Sequence, residues 1–147
     1  MSGGKRRINM QSLHGKLCAS LYEQLGEAVL PIFVETYGEY GREIGSGLKK
    51  KWKPEGFESA MISFIKMCND GGMPSDVCVT GKTAQVTGTF CPFGLENTDY
   101  KICEALMSMD VEMLKILTGE EKLGLRIEKT LAAGDDECRM TYFVEEE

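Results

Sequence analysis

The stretch that decides the fold is NDGGMPSDVCVTGKTAQVTGTFCPFG, residues 69–94. Upstream of it the apolar residues recur every three or four positions, and within it they recur every two. Asp70-Gly71-Gly72-Met73-Pro74 stops the helical pattern. Val77 and Val79 then alternate with polar neighbours, Gly81-Lys82 supplies a turn, and Ala84–Phe90 reads as a returning strand. Cys91-Pro92 ends it, because proline cannot donate to a ladder.

Working towards the N-terminus, residues 57–69 read as one helix, with Phe57, Ala60, Met61, Phe64, Ile65 and Cys68 on one face. A polar loop with Pro54 precedes it. Before that, Leu13, Leu17, Leu21, Leu25 and Val29 step by four, and Pro31 kinks or restarts the helix. The continuation to Leu48 carries Gly38, Gly41 and Gly45 near one side. Each glycine costs a helix about 1 kcal/mol against alanine. Either a close packing contact explains them or the helix is loosely formed. Residues 1–11 read as a disordered tail and 12–147 as a single domain.

Working towards the C-terminus, Asn97 or Thr98 is a candidate cap for a helix reaching about Leu117, and Gly119 suits its end. Leu123, Leu125 and Ile127 begin a third strand. Ala133–Asp136 is a turn, and Cys138, Met140, Tyr142 and Val144 alternate along a fourth. The order is N-terminal helices followed by a β-β-α-β-β unit. That predicts an α+β fold with an antiparallel sheet and helices on one face.

The chain has 147 residues and a formal net charge of −6, which fits one core and argues against a phosphate-backbone binder. Lys5–Arg7 and Lys49–Lys51 are short basic runs, expected to be solvated. No continuous apolar run approaches the roughly 20 residues that span a bilayer, and MSGGKRRINMQ lacks a signal-peptide core. The expectation is a cytoplasmic protein with no nucleic-acid or membrane partner. Six cysteines without paired CxxC spacing predict buried thiols, with Cys18, Cys68 and Cys78 the plainest cases.

Chemistry is expected elsewhere. The single histidine, His14, lies on the first helix, where it reads as a surface residue. No Walker loop or GxGxxG is present. Cys91 ends a strand, Cys103 opens a helix, and Asp110, seven residues on, shares the face of Cys103. A carboxylate on an apolar stripe is costly unless paired or wet. Cys91, Cys103 and Cys138, with Glu128 or Asp110, form a candidate zinc set of three sulfurs and one oxygen. The alternative is buried thiols and a solvated acid.

CPFGLENTDYKICEALMSMDVEMLKIL (91–117) and IEKTLAAGDDECRMTYFV (127–144) resemble the C-terminal half of the 2-aminothiazoline-4-carboxylate hydrolase-like family, which is similar to the 4-vinyl reductase small-molecule-binding domain. The resemblance implies metal-ligand places at Cys103, Glu128 and Cys138. The fourth falls on Leu131, which cannot ligate, leaving Cys91 as a substitute.

The resemblance also implies a hydrolase acting on a thiazoline-type cyclic C=N substrate. Asp110 is then a candidate general base and Cys103 a candidate nucleophile, with zinc an alternative source of hydroxide. A second reading is a non-catalytic binding or redox-sensing module with Met107, Met109 and Met113 in a pocket wall, though they equally suit an ordinary core. A third is a subunit that forms a homodimer through Gly38, Gly41 and Gly45.

Overall fold

A computed structural model describes residues 9–145. The elements are helices α1 (Met10–Leu25), α2 (Leu30–Trp52) and α3 (Phe57–Asp70), strands β1 (Ser75–Thr80) and β2 (Thr83–Gly88), helices α4 (Tyr100–Leu106) and α5 (Ser108–Thr118), and strands β3 (Leu123–Lys129) and β4 (Cys138–Val144). The fold is α+β, with N-terminal helices ahead of a ββαββ unit. The four strands are antiparallel in the order β1-β2-β4-β3. Most of the expected tail lies outside the described residues. Its end is helical: Asn9 caps α1, accepting from the Ser12 amide at 2.8 Å while Ser12 Oγ accepts from the Asn9 amide.

The sheet presents two chemically different faces. Val77, Val79, Ala84, Val86, Met140, Tyr142, Leu125 and Ile127 pair across the ladders and meet the helices. The opposite face carries Asp76, Cys78, Gln85, Arg126 and Arg139. Cys78 is exposed there, against the expectation of a buried thiol, because its strand parity is opposite to that of Val77 and Val79. Arg126 lies 5.3 Å over the Phe143 ring on this face.

Helices α3 and α5 cover the inner face, and α2 packs along α5. The glycines of α2 account for that second layer. A Cβ on Gly41 would lie 2.1 Å from the Met109 carbonyl oxygen, and one on Gly45 2.9 Å from that of Met113. The glycine stripe is therefore spent inside the chain. This corrects the expectation that it joins two copies.

The helix expected over 98–117 is broken. Met107 ends α4 and starts α5, and the cap is Asp99, whose Oδ1 accepts from the Lys101 amide at 2.8 Å. Between α1 and α2, a 3₁₀ turn at Gly26–Val29 begins at φ 74°. The continuous helical run Met10–Trp52 contains an 18-residue window of mean hydropathy 1.2, enough by length and composition alone to cross a membrane. The glycine face of α2 nevertheless belongs to the core.

Two buried clusters result. One joins Cys18, Phe33, Cys91, Phe93, Ile102, Cys103, Leu106 and Met140, and the other joins Phe57, Met61, Phe64, Leu114, Leu117 and Tyr142. Met107, Met109 and Leu125 pack against both.

Candidate functional site

Three of the expected site residues converge near the β3–β4 connection. Thr130 caps the short 3₁₀ turn Leu131–Ala133, and Gly134 follows at φ 91°. Asp135 Oδ2 accepts from the Thr130 amide at 2.9 Å, which closes the turn. Buried Thr130 also donates through Oγ1 to Cys103 Sγ at 3.4 Å, and the Leu131 amide donates to Cys138 Sγ at 3.5 Å. Cys91 Sγ accepts from the Leu95 amide at 3.4 Å.

Burial pushes the Cys103 thiol up to about 12, and the nearby Cys138, Cys91 and Asp110 add to the rise against the hydrogen bond from Thr130. Burial likewise raises Cys91. A thiol held in this state is protonated at neutral pH and is a poor nucleophile. The resemblance placed Leu131 where a ligand would stand. What it offers Cys138 instead is its amide.

Glu128 does not join the cysteines. The ladder is irregular between Ile127 and Lys129, and Glu128 accepts from Thr141 Oγ1 at 2.7 Å. Thr141 alternates with Met140 and Tyr142, so this bond lies on the face of the sheet away from Cys138. Among the described residues, no group of three or more His, Cys, Asp or Glu side chains is placed to hold a metal ion. Glu128 keeps the parity of Arg126, opposite Leu125 and Ile127, so its carboxylate faces outward and stands apart from the three cysteines of the expected zinc set.

Asp110 sits in the first turn of α5, one helix beyond Cys103 because of the break at Met107. The Tyr142 hydroxyl donates to its Oδ2 at 3.4 Å. The residue as a whole keeps partial solvent contact, yet its carboxyl is desolvated: burial raises its pKa to about 7, opposed by the bond from Tyr142. Its charge in turn helps raise Cys68, which burial takes to about 12.

Sequence reading missed a groove. Val34, Glu35, Gly38 and Arg42 of α2, Glu104 and Ser108 at the α4–α5 break, Val111 and Glu112 of α5, and Leu125 and Ile127 of β3 line a space of about 520 Å³. A second space of about 340 Å³ shares Val34, Glu104 and Ser108 with it. Arg42 and Glu112 are paired across the groove at 3.0 Å, and Glu112 also holds Lys115 at 3.0 Å. These two partners lower the Glu112 pKa against the effect of burial. The only sequence signal was Gly38, which keeps one wall low.

No protein-family model matches this chain, and no curated protein matches it significantly. Solved structures do. The phenol-responsive sensory domain of the transcription activator PoxR, with phenol, is 14% identical with a TM-score of 0.66, over 98% of this chain and 79% of that one. A trafficking protein particle complex subunit 3 from Naegleria fowleri, covalently bound to palmitic acid, is 13% identical with a TM-score of 0.69, over 92% and 95%. The likeness is one of fold. It agrees with the α+β domain expected from the sequence and does not extend to the hydrolase-like family label.

Proposed function

We propose that this chain is a non-catalytic small-molecule-binding module whose ligand is a mainly apolar organic molecule held between α2, the α4–α5 break and β3. The groove of about 520 Å³ carries the reading. Ligand sites typically span roughly 300–1,000 Å³ and combine apolar walls with a few placed polar groups. Here Val34, Val111, Leu125 and Ile127 are the apolar part, and Ser108 with the Arg42–Glu112 pair is the polar part. The two structural neighbours bear phenol and palmitic acid, which supports a ligand-holding role for the fold. Hydrolysis lacks comparable support, since neither neighbour's description names it.

The test is a titration of the isotope-labelled chain with phenol and, separately, with palmitate, followed by amide shifts. Saturable shifts confined to groove residues, lost in Val34→Trp, are expected for at least one probe. No saturable shift with either, or shifts that Val34→Trp leaves unchanged, would reject the groove as the site.

A further inference from the structure

The groove and the smaller space beside it form one trough between α2 and the α4–α5 pair, since Val34, Glu104 and Ser108 line both. Leu30, Val34, Gly38 and Arg42, four apart along α2, make one side of it. At 1.5 Å per residue that side spans about 18 Å. An ion pair bridges the trough at each end. Glu27, in the turn before α2, holds Lys101 of α4 at 2.8 Å, and Arg42 of α2 holds Glu112 of α5 at 3.0 Å. Gly38 makes room for the second bridge: an added Cβ would lie 3.4 Å from Glu112 Cγ and 3.5 Å from Arg42 Nη1. Six charged side chains line the trough, and the two bridges occupy four of them. The other two are both acids, Glu35 and Glu104. Neither has a hydrogen bond or ion pair among the described residues.

We infer that the trough selects an organic cation: an elongated apolar body carrying one protonated amine, seated with its nitrogen at Glu104 and Glu35. The inference rests on the groove reading above and adds a charge to it. The apolar body lies on Val34, Val111, Leu125 and Ile127, and the Ser108 hydroxyl accepts or donates beside Glu104. Both cations of the lining are already neutralised, so an anion would have to break a bridge to reach one, and would meet two unpaired acids on the way. A net charge of −6 adds a general attraction for cations. An inorganic ion is the weaker occupant. It leaves the apolar wall unused, and among the described residues no group of three or more His, Cys, Asp or Glu is placed to hold one. Phenol and palmitic acid, borne by the structural neighbours, are not cations, so this lining departs from those ligands in charge.

Three probes that share one body and differ in charge test this. Phenylbutylamine is a cation at pH 7, phenylbutanol is neutral and phenylbutyrate is an anion. Each is titrated into the isotope-labelled full chain, and amide shifts at Val34, Ser108 and Val111 are followed. The amine should bind roughly tenfold tighter than the anion, with the alcohol between them. Added salt should shrink the amine's lead, because the two acids are exposed and screened. Glu35→Gln/Glu104→Gln, at those same exposed positions, should remove most of the lead. An amine that binds no tighter than the alcohol, or a lead that the double variant keeps in full, would overturn the charge assignment and leave the groove standing. No saturable shift with any of the three would overturn the groove itself and this inference with it.

Discussion

The Tyr142 hydroxyl and the Asp110 carboxylate meet at 3.4 Å inside the helix-covered face of the sheet, with no cation among the causes that set the acid's pKa. The bond is long, and burial outweighs it. Asp110 thus titrates near 7 in the folded chain instead of near its ordinary value of 3.8. A raised acid stabilises the fold below the unfolded pKa and loses that contribution as pH rises through the folded one. Stability should fall between pH 4 and pH 7, by no more than about 4 kcal/mol at about 1.4 kcal/mol per pKa unit. Asp110→Asn keeps an acceptor for Tyr142 and removes the titration. Denaturant melts across this range should show a flattened profile, with the variant the more stable above pH 7.

Glycines in α2 should divide sharply. Gly41→Ala forces a methyl against the Met109 carbonyl and should cost several kcal/mol, in the range of overpacked cores. Gly47 has nothing within 4 Å of an added Cβ, so Gly47→Ala should stabilise by about 0.5–1 kcal/mol. Thermal melts of the two variants check both signs.

Thiol reactivity should follow position. Cys78 is exposed, while Cys103 and Cys68 are pushed up to about 12 by burial. Mass spectrometry of the native protein under brief alkylation at pH 7 should find Cys78 labelled first and Cys103 only after unfolding. Early labelling of Cys103 would contradict the protonated, buried thiol described above.

The ladder parity of β4 was readable because Cys138, Met140, Tyr142 and Val144 alternate without interruption. The orientation of Glu128 was readable in the same way, since alternation in β3 turns it away from Ile127. The helix break at Met107 was hidden, because the apolar spacing continues straight through it. Gly38, Gly41 and Gly45 announced a close contact, but spacing says nothing of whether the partner is another helix of the chain or another chain. Asp110 stood out as a lone acid on an apolar stripe. Its partner Tyr142 lies 32 residues away, beyond any local pattern. The groove joins three segments distant in sequence and leaves even less trace.

The contact between α2 and α5 has a mechanical meaning. Side-chain layers can yield by changing rotamers, but at Gly41 and Gly45 one backbone rests against another. Those two helices therefore form one rigid wall, and the space they border can change its width only at its other walls. These are Glu104 of α4 and β3, an edge strand whose register shifts between Ile127 and Lys129.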